Sequence, residues 1–126
     1  MGTDARDEDA PMRVPEALAP LVRRLVHELV AGKYEDLIRS GVADGWTSER
    51  LASYVGEMKG IDGAPLTDPP ETFFQKEDTT LALGDDRYSV WVDLWTTRGP
   101  SAYSLIIDFD PTPGGYEAHF KNLEVM

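Results

Sequence analysis

The stretch from Arg87 to Asp110, RYSVWVDLWTTRGPSAYSLIIDFD, limits the fold more than any other part of the chain. Apolar residues alternate on both sides of Arg98-Gly99-Pro100-Ser101, and strict alternation marks a strand with one buried face. Two such runs about a Gly-Pro turn make an antiparallel hairpin. The rest of the chain must extend this hairpin and cover one of its faces.

Extension comes from both flanks. Alternation also runs through Phe73–Leu83 and Tyr116–Val125, set off by the turn sequences Gly84-Asp85-Asp86-Arg87 and Pro111-Thr112-Pro113-Gly114-Gly115. Four strands are predicted: Phe73–Leu83, Tyr88–Thr97, Ala102–Asp110 and Tyr116–Val125. Cover comes from the N-terminal half. Leu18, Leu21, Val22, Leu25, Val26 and Leu29 recur at helical spacing, which predicts a helix over Pro15–Ala31. Pro20 either opens its regular part or closes a separate turn over 15–19. A short second helix is expected over Tyr34–Arg39. A third is expected over Ser48–Met58, with Thr47 as N-cap, Gly60 after its end, and Leu51, Tyr54, Val55 and Met58 as its apolar face. Trp46 should staple against Leu51.

Residues 60–71, GIDGAPLTDPPE, read as a loop, because three prolines and two glycines in twelve residues forbid a regular element. Residues 1–13 read as a disordered acidic tail and 14–126 as one domain. The fold class is therefore α+β, with two or three N-terminal helices packed on one face of a four-stranded antiparallel meander.

The turns also fix a register. If Arg98 and Ser101 flank the second turn, Leu94 faces Leu105, Val92 faces Ile107, and Val90 faces Phe109. If Gly84 and Arg87 flank the first, Leu83 faces Tyr88 and Leu81 faces Val90. These aliphatics share one face, the core. The opposite face then carries Trp91, Asp93 and Trp95, with Asp78 opposite Asp93, Lys76 opposite Trp95 and Asp108 opposite Trp91. Placing Phe120 beside Ile107 adds His119, near Asp108, and Lys121 to that second face.

Opposed carboxylates on neighbouring strands repel unless compensated. A bound cation, a shared proton, a partner's arginine or lysine, or Lys76 and Lys121 would each serve. The plainer reading is an open, solvated face, or a first strand one residue out of register.

Chemistry is otherwise sparse. With no cysteine, disulfides, thiolate zinc sites and cysteine nucleophiles are excluded. Ser101 and Ser104 have no base at a recognisable spacing. Asp108-Phe109-Asp110 is a fragment of a calcium loop without the other ligands, so neither metal nor cofactor is expected. His27 lies away from the apolar stripe of its helix and reads as solvated. The candidate general bases are Asp93 and His119.

The net charge is −11, and residues 57–86 hold 8 acids against 2 bases. Such a field repels nucleic acid and anionic membrane and favours a basic protein partner. No apolar run approaches the roughly 20 residues of a membrane helix, and the N-terminus has no signal-like core, so a cytoplasmic protein is expected.

YSVWVDLWT followed by SAYSLIID resembles an uncharacterised, mostly actinobacterial domain family. Its members open with a helix like LVRRLVHELVAGKYEDL and carry the strand Asp93-Leu94-Trp95-Thr96. Their acidic turn is replaced here by Arg98-Gly99-Pro100-Ser101 and Ala102-Tyr103. The resemblance spans about residues 18–126 and transfers no activity. More remotely, helices followed by an antiparallel meander are similar to the cystatin-like, NTF2-like fold.

Three roles follow as expectations. The first is a non-catalytic binding module, of immunity or accessory type, that masks a basic partner through Trp91 and Trp95, with Asp78, Asp93 and Asp108 around them. The second is an NTF2-like small-molecule enzyme or binder with a pocket between helices and sheet. The third is a homodimer through the tryptophan face.

Overall fold

The computed structural model describes residues 11–43 and 45–125, with 58, 59, 61, 62, 102 and 123–125 described by backbone alone. Three helices come first: α1 Ala19–Val30, α2 Tyr34–Arg39 and α3 Ser48–Asp62. Five strands follow: β1 Leu66–Thr67, β2 Thr80–Gly84, β3 Arg87–Thr96, β4 Gly99–Thr112 and β5 Gly115–Val125. A 3₁₀ turn, Glu71–Gln75, stands between β1 and β2. The α+β class holds, with five strands in place of the expected four.

Pro20 sits in the first turn of α1, where its missing N–H costs nothing. Val22, Leu25, Val26 and Leu29 form the buried stripe. The helix ends at Gly32, whose φ of 76° suits glycine. Thr47 caps α3 as expected, its Oγ1 accepting the Arg50 N–H at 3.0 Å. This helix runs four residues beyond the expected end at Met58, because Gly60 keeps a negative φ and the left-handed stop falls on Gly63, φ 66°. Trp46 meets the helix one turn later than expected, edge-on to Tyr54 at 5.5 Å.

All strand pairings are antiparallel, in the order β1-β3-β4-β5. β1 and β2 lie end to end along one edge of β3, opposite Trp95–Thr96 and Arg87–Val90 respectively. Met12, expected in the disordered tail, forms a bridge to Thr80, and its N–H donates to the Thr80 carbonyl at 2.8 Å. Residues 1–10 of that expected tail lie outside the described residues. The core joins Leu18, Val22, Leu25, Leu29, Leu37 and Leu51 from the helical half to Val90, Val92, Leu94, Leu105, Ile107 and Phe109 of the sheet. Full burial of each such side chain is worth about 1.5–3 kcal/mol.

The first predicted strand is corrected most. Phe73–Leu83 is not one strand, since Phe73 and Phe74 lie in the 3₁₀ turn and pairing begins at Thr80. Neighbouring residues of a strand point to opposite faces, so a strand would bury only one of two adjacent phenylalanines. The turn buries both, with the rings edge-to-face at 5.1 Å.

The hairpin turn Asp85-Asp86 has both residues left-handed, and Gly84 pairs with Arg87 as expected. A bulge at Leu83 then shifts the register by one residue. Leu81 therefore faces Ser89, not Val90, and Thr80 takes the core position opposite Val90. Leu83, freed from Tyr88, is 47% exposed.

Between β3 and β4 the turn is Thr97-Arg98, with Thr96 paired to Gly99. The observed partners are Val92 with Leu105, Val90 with Ile107 and Tyr88 with Phe109. Each expected pair is displaced by two residues. Side chains alternate with period two, so the displacement leaves every residue on its expected face. It does move Asp108 from Trp91 to Ser89 and sets Trp91 beside Ile106. In β5, Phe120 pairs with Ile107 and His119 with Asp108, as the sequence suggested. A bulge between Ile106 and Ile107 makes Lys121 the extra, exposed residue rather than a member of the tryptophan face.

Candidate functional site

The helices cover the face of Val90, Val92 and Leu94. The opposite face presents Arg87, Ser89, Trp91, Asp93 and Trp95 from β3. β4 adds Ser104, Ile106, Asp108 and Asp110, and β5 adds Glu117 and His119. This face is not a flat solvated plane. Ser89, Ser104 and Ile106 are buried on it, low among taller neighbours, while Trp91 is 42% exposed.

Around Trp91 the predicted residues split into two groups. The first surrounds a depression of about 390 Å³ lined by Lys76, Asp78, Thr79, Trp91, Asp93 and Ser104. One wall is the β3–β4 sheet. The other is the irregular segment 76–79, held by a hydrogen bond from the Trp91 N–H to the Thr79 carbonyl at 2.7 Å. Lys76 Nζ donates to Asp93 Oδ2 at 3.0 Å, and Ser104 Oγ donates to Oδ1 at 3.4 Å. Both oxygens of the half-buried Asp93 are thus engaged. The Asp93 hydrogen bond, then its charge, with Asp78 adding, raises the Lys76 ammonium pKa above its usual value.

This geometry corrects the expected cross-strand pairs. β2 begins at Thr80, so Asp78 is not a ladder partner of Asp93, and Trp95 is paired with Thr67 rather than set against Lys76. Asp78 still reaches the same depression, from the turn before the strand. The repulsion expected between opposed carboxylates is relieved by Lys76, one of the compensations foreseen. Trp95 is half-buried, and its enclosed Nε1–H has no hydrogen-bond partner. It supports the face from below rather than standing out as an anchor.

The second group lies toward the other end of β3. Arg87 Nε donates to Asp110 Oδ1 at 2.8 Å, a hydrogen bond that, with the Asp110 charge, raises the guanidinium pKa. His119 Nε2 is 3.7 Å from Glu117 and 4.0 Å from Asp110. Asp108 lies between Ser89 and His119 in the ladder, its Oδ1 enclosed without a partner. His119 and Asp93 therefore belong to different clusters, and the hydroxyl beside Asp93 is that of the buried Ser104, at 3.4 Å. Among the described residues no group of three or more His, Cys, Asp or Glu is placed to hold a metal ion.

One polar system escaped the sequence reading. His27, expected to be solvated, bonds through Nδ1 to the Asp68 carboxylate at 3.1 and 3.2 Å. One turn earlier, Arg23 Nη2 lies 2.7 Å from Glu71, and its Cζ is 3.9 Å from the Phe74 ring centroid. These contacts strap the proline-rich segment onto α1. The available signal was the Arg23–His27 spacing of four residues, which puts both on one helix face.

A depression of about 380 Å³ opens between α1 and the end of the sheet, at Leu21, Arg24, Val42, Thr112, Tyr116 and Glu117. Neither Asp93 nor His119 lines it. Among the described residues no helix is long and apolar enough to cross a membrane.

The chain belongs to a family described as a domain of unknown function (DUF7668), whose model matches residues 26–126. The match is consistent with the uncharacterised domain family that the sequence resembled. No curated protein and no solved structure matches the chain.

Proposed function

We propose that this unknown-function domain is a small, non-catalytic binding module that engages a basic protein partner, as an immunity-type or accessory protein would. The observation that carries the reading is Trp91. It stands 42% exposed on the sheet face left uncovered by the helices, beside a depression rimmed by Asp78 and Asp93. A large aromatic at the centre of a partly desolvated patch is the usual energetic anchor of an interface. The acidic balance of the chain, −11, supplies long-range attraction for a basic surface and repulsion for nucleic acid and anionic lipid. A cytoplasmic setting suits a chain without cysteine.

The roles within the site differ from one residue to the next. Trp91 is the anchor. Among the described residues Asp78 makes no direct ion pair, which suits it to steer an incoming cation, whereas Asp93 is held by Lys76 and Ser104. Trp95 and Asp108 lie lower on the face and shape it.

The test is kinetic. A partner is captured on immobilised protein and identified, and its association rate is then measured against salt. Asp78→Lys and Asp93→Lys should each slow association and flatten its salt dependence. An unchanged association rate in both variants would overturn the reading. Self-association as the sole interaction, seen by sedimentation at micromolar concentration, would replace it with the homodimer.

The small-molecule alternative, in the NTF2-like manner, has its place in the depression at Leu21 and Tyr116. The carboxylate that lines it is that of Glu117, and neither Asp93 nor His119 reaches it.

A further inference from the structure

We propose that the group received by the Trp91 depression is a guanidinium, an arginine side chain that the partner lays on the indole with its fork toward Asp78. The inference deepens the binding reading above and rests on it.

The chain itself shows the arrangement. Arg23 lies over the Phe74 ring at 3.9 Å while its Nη2 reaches Glu71 at 2.7 Å, so one guanidinium is held by a ring and a carboxylate together. Arg50 also lies over an indole, that of Trp46, at 4.4 Å. At the depression the ring and the carboxylates recur, in Trp91, Asp78 and Asp93, but no arginine among the described residues lines it. Among the described residues, neither a second ring nor a cation covers Trp91. Local charge favours a cation, because Lys76 stands against Glu77, Asp78 and Asp93.

Lys76 shows why an ammonium is the poorer fit. It reaches Asp93 as a point charge and leaves Trp91 42% exposed. An ammonium is compact and strongly hydrated, so it gains little by lying on an aromatic face in an open site. A guanidinium is planar and weakly hydrated. It can stack on the indole and present two parallel N–H groups to a carboxylate at once. The volume, about 390 Å³, lies near the lower end of the ~300–1,000 Å³ typical of ligand sites, which suits one long side chain rather than a cofactor. In the free protein Lys76 acts as the resident cation and holds one of the two carboxylates closed.

The experiment uses the whole chain, ¹⁵N-labelled, titrated with hexa-arginine and with hexa-lysine of equal length and end groups. The three indole N–H signals are followed, assigned by Trp→Phe substitution. The Trp91 signal should move, and hexa-arginine should bind about two- to fivefold more tightly than hexa-lysine, the worth of an exposed cation–π contact. Trp91→Ala should abolish that preference while circular dichroism stays unchanged, and Trp91→Leu serves if the alanine variant does not fold. Asp78→Asn should weaken both peptides, and Lys76→Met should strengthen both. Equal affinity of the two peptides for the wild-type chain, or a preference that survives both Trp91 variants, would overturn the inference. If the preference is absent but a captured partner still loses affinity with Trp91→Ala, the guanidinium falls and the binding reading stands. If the partner is indifferent as well, both fall.

Discussion

The two faces of strand β3 differ by a single residue step and by almost everything else. Val90, Val92 and Leu94 are no more than 1% exposed and meet the helices, whereas Trp91, Asp93 and Trp95 face away from them. The first set is what any sheet with helical cover requires. The second set is not needed for that cover, yet it spends a large aromatic on partial exposure and binds an acid to a lysine from another segment. The contrast separates, on one strand, the residues that build the core from those that the core does not require.

Substitutions should keep these roles apart. The largest expected effect is on the covered face, where Phe109→Ala should lower unfolding free energy by about 3–5 kcal/mol in urea denaturation. Leu105→Ala should cost about 2–5 kcal/mol. Trp91→Ala, one strand away on the open face, should change stability by about 1 kcal/mol or less yet weaken partner affinity by ~2 kcal/mol or more. A loss of stability at Trp91 as large as at Phe109 would dissolve the distinction between the faces.

Much of this division was legible in the sequence, for a physical reason. The register proposed from the turns was displaced by two residues between β3 and β4, but parity, not register, decides which face a side chain takes. The face assignments of Val90, Trp91, Val92 and Asp93 therefore survived. The β5 pairs Phe120 with Ile107 and His119 with Asp108 followed from the same reasoning. Parity offered no help before Thr80. Phe73-Phe74 resembles the start of an alternating strand, and only their joint burial shows the helical turn. The bulge at Leu83 leaves no mark in the apolar pattern and misplaced Leu81, while Lys76 and Asp78 were misplaced because pairing begins only at Thr80. The strap ion pairs, Arg23 with Glu71 and His27 with Asp68, join distant segments, and the four-residue spacing on α1 gives one side of the strap without its partners.

Smaller effects sharpen the comparison further. Thr47→Ala should cost about 0.5–2 kcal/mol by removing the α3 cap, and thermal unfolding should register it without any change in partner binding. Lys76→Met tests the open face alone. Its bond to Asp93 is half-exposed, so its stability cost should be about 0.2–1 kcal/mol and should shrink in high salt. The pH dependence has a definite sign. Asp93 raises the Lys76 pKa in the folded state, so the contribution is complete below the unfolded lysine value and is lost as pH rises through the folded one. Wild type and Lys76→Met should therefore differ in urea midpoint at neutral pH and converge in strongly alkaline buffer. A constant gap across that range would remove the ion pair from the account.

The central claim is that the uncovered face binds and does not hold the fold. It is tested most directly by the dissociation constant of the captured partner for wild type and for Trp91→Ala, both confirmed folded. The folded variant should bind at least about thirtyfold more weakly. An affinity unchanged within error would contradict it.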